Sequence, residues 1–298
     1  MRRWAHRTHL AGLLALAAGA VCGRGGRAPS GPLAVTDDAG RTLTLSAPAR
    51  RIVSLSPAVT ELVFALGAGD RLVGRTTWCD YPPAARAVPS VGDGLNPNIE
   101  AVAARRPDLV VLYRSPLNET AARQLERLGI AAAVVRQDRL EDVARAARLV
   151  GRLVGQEARA EALADTLTRL VTQPAPRAHT RVAFVVWDTP PMVIGAGSYL
   201  DQLATLAGVE NVFHDIGPAS AVVALETLAT RDPDVIAVLR DSAASGPPAF
   251  ARRAEWQVIR AVRERRFVYL TGSLFGRPGP RAPQAAAELR RLTEAPAR

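Results

Sequence analysis

Apolar positions in this chain fall into two patterns. Short, mostly apolar runs each begin directly after an Asp or Arg: Ile52 to Leu55, broken only by Ser54, Leu109 to Leu112, Val182 to Val186, Val235 to Leu239 and Phe267 to Leu270. Runs of this length without polar alternation predict strands buried on both faces, the pattern of a parallel sheet. Between them, apolar residues recur at helical spacing. Ser56-Pro57 opens one helix ending at Leu66-Gly67, with Ser56 as cap and Pro57 at the first helical position. Further helices are predicted from Tyr199 to Ala207 and from Pro283 to Leu292. Leu33 to Leu45 alternates around Asp37-Asp38-Ala39-Gly40 and predicts a hairpin.

One helix-strand unit occurs twice. Asn98 to Leu112 reads N-I-E-A-V-A-A-R-R-P-D-L-V-V-L, and Ala224 to Leu239 reads A-L-E-T-L-A-T-R-D-P-D-V-I-A-V-L. In each copy a Glu (Glu100, Glu226) precedes an Asp (Asp108, Asp234), with Pro107 and Pro233 at the same offset. Proline ends the short helix and the chain turns at Pro-Asp into the buried strand. Two similar α/β halves with a space between them are therefore expected. Each Glu sits in the first turn of its helix, where a carboxylate gains about 0.3–1 kcal/mol from the macrodipole.

From Leu140 to Val171 helical periodicity continues for about thirty residues, interrupted only by Gly151 and Gly155. A single helix of that length is about 45 Å long. It would join the two halves.

Composition narrows the function classes. The chain has 298 residues, 48% of them hydrophobic, and a formal charge of +10. That length and hydrophobicity suffice for two cores. The positive charge comes without a single Lys, and no basic run exceeds two residues, so nucleic-acid binding is not expected. The two cysteines, Cys22 and Cys79, imply no disulfide framework, and Cys79 reads as a half-buried thiol. The four histidines are too dispersed for a metal site. Gly195-Ala196-Gly197-Ser198 precedes a helix, yet a phosphate loop of the Walker type needs a Lys that the chain lacks. Glu61 falls in the first half of its helix and reads as helix stabilisation.

Residues 1–21 carry Arg2, Arg3 and Arg7 followed by an apolar stretch of about twelve residues, the form of an export signal rather than a permanent span. Two processing routes remain open at its end: cleavage after Ala20, or lipidation of Cys22 with residues 22–32 as a flexible tether to the membrane surface.

Three loops rich in aromatics or Arg follow strands: Trp78-Cys79-Asp80-Tyr81-Pro82-Pro83, Trp187-Asp188-Thr189-Pro190-Pro191-Met192, and Phe275-Gly276-Arg277. Such side chains suit a flat, amphiphilic ligand. The order R-I-V-S-L-S-P-x-x-T-E-L, C-D-Y-P-P, V-G-x-x-x-N-P-N-I-E and P-D-L-V-V resembles the substrate-binding proteins of ABC importers for cobalamin, haem and ferric siderophores, nearest to the cobalamin-binding branch. The resemblance spans roughly residues 35–293.

That resemblance implies a class III periplasmic binding protein: two Rossmann-like lobes with mainly parallel sheets (33–141 and 173–298) joined by one long connecting helix (142–172). It implies a cobalamin or related metal chelate as ligand, no resident cofactor, and contacts from an aromatic at Trp78 and Tyr113 and an arginine at Arg277; the loops themselves add Tyr81, Trp187, Met192 and Phe275 as candidate ligand contacts. It further implies that Glu100 and Glu226 dock onto the permease of a permease and ATPase complex, and that the protein is an exported monomer. The chain departs from the cobalamin branch at Gly94 and Ser220, where tryptophans stand, and at Ser273, where an acid stands. The rival is an exported enzyme using Asp93, Asp188 or His214 as acid or base, but no Ser/His/Asp order, metal spacing or close carboxylate pair supports it.

Overall fold

A computed structural model describes residues 32–240 and 246–294. The signal, most of the tether and Cys22 lie outside the described residues. The chain opens with an antiparallel hairpin, β1 (Leu33–Thr36) and β2 (Thr42–Leu45). Its turn is closed by the Asp37 carboxylate, which accepts from the backbone N–H groups of Ala39 and Arg41.

Four strands form the first sheet: β3 (Ile52–Ser54), β4 (Leu72–Arg75), β5 (Leu109–Tyr113) and β6 (Ala131–Val135), in the order β4-β3-β5-β6 and all parallel. Helices α1 (Pro57–Ala65), α2 (Ile99–Ala103) and α3 (Pro116–Arg127) connect them. β3 and the first four residues of β5 are fully buried because both faces are covered, one by a cluster including Val59, Leu62 and Val150, the other by one including Val102, Ala122 and Leu125.

After the connection, α4 (Leu140–Leu153) and α5 (Glu157–Thr172), the second sheet is built from β7 (Thr180–Asp188), β8 (Pro191–Ile194), β9 (Val209–Asn211), β10 (Ser220–Val222), β11 (Val235–Arg240) and β12 (Phe267–Thr271). Its order is β10-β8-β7-β11-β12 with β9 also on β7. β7, β9, β11 and β12 run parallel, whereas β8 alone runs against them, pairing antiparallel with β7 on one side and β10 on the other. Helices α6 (Tyr199–Ala207), α7 (Leu225–Thr230), α8 (Arg260–Arg263), α9 (Gly272–Phe275) and α10 (Ala282–Glu294) cover it.

The repeated unit occupies equivalent places in two separate sheets, α2 into β5 and α7 into β11. The repeated Asp has the same task in both. Asp108 accepts from the N–H groups of Arg50 and Arg51 at the start of β3, and Asp234 accepts from the N–H of Arg181 inside the start of β7. The guanidinium of Arg51 or Arg181 in turn donates to the carbonyl of Arg106 or Asp232, the residue before the repeated Pro, which holds a left-handed backbone (φ 48° and 42°).

The connection differs from the single helix that periodicity predicts: it is two helices folded back on each other. Gly155 adopts φ 65°, its N–H bonds to the Arg152 carbonyl, and the Gln156 N–H bonds to the Gly151 carbonyl. This is a Schellman stop, which a left-handed glycine supplies without any proline. At 1.5 Å per residue the two pieces are about 21 and 24 Å long, not 45 Å. A Cβ on Gly151 would lie 2.2 Å from that of Ala160, and Arg148 reaches back to Glu161 at 2.9 Å, so the helices run closely side by side. Leu140, Val143 and Ala144 of α4 pack in the second half and Ala147, Val150 and Leu153 in the first; α5 starts with Ala160 in the first and ends with Leu167 in the second.

Candidate functional site

Parallel strands place the loops that follow them at one edge of a sheet, where ligands of α/β proteins bind. Here the two sheets turn those edges toward a common cleft of about 570 Å³. From the first half come Pro57 after β3, Trp78 after β4, Tyr113 at the end of β5, and Gln137 and Asp138 after β6. From the second come Leu239 at the end of β11, the loop Phe275 to Pro278 after β12, and the start of α6. Trp78 is 62% exposed and Tyr113 37%, so two aromatic surfaces stand open to a ligand.

Tyr113 donates its hydroxyl to Asp138 Oδ1 at 2.5 Å. Burial, then that hydrogen bond and charge, push the phenol up to about 12. It stays protonated at neutral pH.

Arg277 crosses between the halves. Its guanidinium donates to Asp80 Oδ1 and to the Trp78 carbonyl at 2.9 Å, and lies 3.6 Å from Glu61 Oε1. Arg281 lies beside it with 2.7 Å bonds to both Glu61 oxygens, a bond to the Ser273 carbonyl, and its guanidinium 3.8 Å above the Tyr81 ring. Burial pushes the Glu61 carboxyl above its ordinary range, against the opposing pull of Arg281 and Arg277. At Asp80 burial is outweighed by the hydrogen bond and charge of Arg277, which hold the carboxyl below its ordinary range.

Of the seven residues expected at a ligand, Trp78, Tyr113, Phe275 and Arg277 line the cleft. Phe275 is itself almost wholly buried. Tyr81 sits under Arg281, outside the cleft lining. Trp187 and Met192 also lie off it, because the loop between them joins antiparallel strands. They are cross-strand partners in the β7–β8 hairpin, and the Trp187 indole N–H folds back onto the Thr189 carbonyl. Trp187 instead borders a separate pocket of about 220 Å³ with Phe250 and Val238.

Four residues gain roles that sequence reasoning missed. Glu61, read as helix support, anchors the contact between halves. Arg281, Gln137 and Tyr199 were not singled out, although Arg281 follows Arg277 at a spacing of four, a usable signal. Cys79 is fully buried, with the Thr60 and Thr76 hydroxyls 3.1 Å away, rather than half-exposed. Gly94 holds φ 81°, and a Cβ there would lie 2.8 Å from the Leu55 carbonyl oxygen, so this backbone accepts no tryptophan.

Glu100 and Glu226 are both exposed, and neither carboxylate has a partner among the described residues. His214 bonds Asp201 Oδ2 at 2.9 Å, away from the cleft.

Two α/β halves presenting strand ends to one cleft define a ligand-capturing protein of two-lobed type. The family profile of periplasmic binding proteins matches residues 52–274, and the chain belongs to that family. The vitamin B12-binding protein of Salmonella paratyphi A is 35% identical over 194 residues, 64% of this chain and 72% of that protein. Among solved structures, the periplasmic vitamin B12 binding protein BtuF of Vibrio cholerae superposes with a TM-score of 0.67 at 26% identity, covering 83% of this chain and 97% of the other. A periplasmic heme binding protein from Pseudomonas aeruginosa gives 0.69 at 27% identity, covering 84% and 94%.

Proposed function

We propose that the chain captures a flat metal chelate, a corrinoid first, and hands it to the permease and ATPase of an ABC importer. The observation that carries this reading is the pair of exposed aromatic faces, Trp78 and Tyr113, at the strand ends of one half, with Arg277 reaching across from the other half to the Trp78 carbonyl. Stacking surfaces and a cation, with no nucleophile-base pair among the described residues that line the cleft, suit binding more than catalysis. The B12-binding relative supports the corrinoid over haem, and so does Tyr113. As a ligand to haem iron its oxygen would have to leave Asp138.

Glu100 and Glu226, exposed at equivalent places in the two halves, serve as paired carboxylates for arginines of a permease. Export follows from the family, and Cys22 supplies a lipid anchor on this reading. The exported monomer meets its ligand in the periplasm. The test is incubation with cyanocobalamin, hemin and a ferric hydroxamate, followed by desalting and a visible spectrum. The corrinoid spectrum should travel with the protein. Retention of hemin or the hydroxamate alone would move the assignment to that chelate.

A further inference from the structure

The floor of the cleft holds two polar side chains that the fold leaves unpaired. Gln137, between β6 and α4, is 3% exposed, and Tyr199, the first residue of α6, is 4% exposed. Neither atom of the Gln137 amide, nor the Tyr199 hydroxyl, has a hydrogen-bond partner among the described residues. Both residues line the cleft. Natural proteins rarely leave buried polar groups unmatched, so such groups beside a cleft call for a partner, whether water, ion or ligand.

The surroundings define what would match them. Two helices of nine residues, α1 from the first half and α6 from the second, begin at the cleft wall. The first-turn N–H groups of α1 receive no bond from the Ser56 side chain. Helix starts present donors and partial positive charge. Together with the Tyr199 hydroxyl and the Gln137 amine these donors call for a carbonyl-type acceptor. The Gln137 carbonyl oxygen calls for a donor as well. A carboxylate meets only the first demand, because it has no proton to give. A primary carboxamide meets both.

We propose that Gln137 and Tyr199 form a subsite for a carboxamide arm of the ligand, so that the cleft prefers chelates with amidated side arms to those with free carboxylates. The last torsion of a glutamine side chain is broad and a tyrosine hydroxyl rotates, so both groups can turn toward an entering arm without moving the backbone. The proposal rests on the reading of the cleft as a chelate site.

Two corrinoids that differ in their side arms test it: dicyanocobinamide, whose arms are amides, and dicyanocobyrinic acid, whose arms are carboxylates. The full chain should bind the amide at least about tenfold more tightly, a difference of about 1.4 kcal/mol. Gln137→Met should bring the two corrinoids within about twofold of each other, and Tyr199→Phe, which removes a donor that either arm accepts from, should weaken dicyanocobinamide about tenfold and the acid as well. Both variants change few atoms, and a melting curve establishes that each is folded. Equal binding of the two corrinoids by the wild type, or variants that bind both as the wild type does, would overturn the subsite and leave these atoms to ordered water only. If the wild type binds neither corrinoid, the corrinoid reading itself fails. The subsite is then measured with hemin against its bis-amide, where a tenfold preference for the amide supports it and equal binding overturns it.

Discussion

Arg281 and Glu61, 220 positions apart, meet with a 2.7 Å bond to each carboxylate oxygen and join the two halves beside the cleft. The pair is bidentate and almost wholly removed from water, with side-chain exposures of 14% and 3%. Breaking a buried pair by removing one member leaves an uncompensated charge and costs about 3–5 kcal/mol, whereas replacing both members by apolar groups is often neutral.

Arg281→Met should therefore lower stability by about 3 kcal/mol at neutral pH, measured by denaturant unfolding. The double variant Glu61→Leu, Arg281→Met should recover most of that. The sign with pH follows from the raised Glu61 carboxyl: below its folded value the group is neutral and needs no counter-ion. The deficit of the single variant should shrink as the solution is acidified. A deficit equal at pH 7 and pH 4 would deny the pair this role.

Asp142 gives the opposite pH behaviour. Burial opposes its ionisation, but hydrogen bonds from Arg136 and Arg145 prevail and hold its carboxyl below the ordinary range. Its stabilisation is present above the unfolded value and lost as pH falls through the folded one. Asp142→Asn should cost about 1.5–3 kcal/mol at pH 7 and progressively less as the pH drops below the usual carboxylate value. A cost independent of pH would point to packing alone.

Gly155 stops α4 in a left-handed conformation, with Pro48 atoms 3.1 Å from where a Cβ would stand. Gly155→Ala should cost about 1–2 kcal/mol, read from the midpoint of thermal unfolding. A variant as stable as the wild type would mean that the two helices do not depend on this stop.

Charge reversal at Glu100 and Glu226 together should abolish uptake in cells carrying the cognate permease and leave ligand affinity within about twofold, because neither residue reaches the cleft. Unchanged uptake would remove these residues from the docking surface.

Much of the architecture was legible because buried strands and a repeated Pro-Asp turn are written in residue type and spacing. The parallel strands, the hairpin and the equivalent placement of α2 with β5 and α7 with β11 all follow from local pattern. The break at Gly155 was not, since helical spacing resumes on its far side and the fold-back depends on contacts such as Gly151 against Ala160. Site residues divide the same way. Trp78 is singled out by its aromatic loop and by the family resemblance, Tyr113 by the resemblance alone; both come to line the cleft, after β4 and at the end of β5. Trp187 could not be placed, because whether β7 returns in a hairpin depends on pairing that its own residues do not specify. The role of Glu61 was hidden by distance along the chain: only the meeting of the two halves gives a carboxylate on α1 two arginines from the region before α10.

The central claim is that an aromatic-walled space between the halves holds a flat chelate, and equilibrium titration of cyanocobalamin into the wild type and Trp78→Ala tests it most directly. The account predicts saturable one-to-one binding by the wild type, about tenfold weaker in the variant, with both proteins equally stable because Trp78 is exposed. Undiminished affinity in Trp78→Ala, or a wild type that binds none of cyanocobalamin, hemin and a ferric hydroxamate, would contradict it.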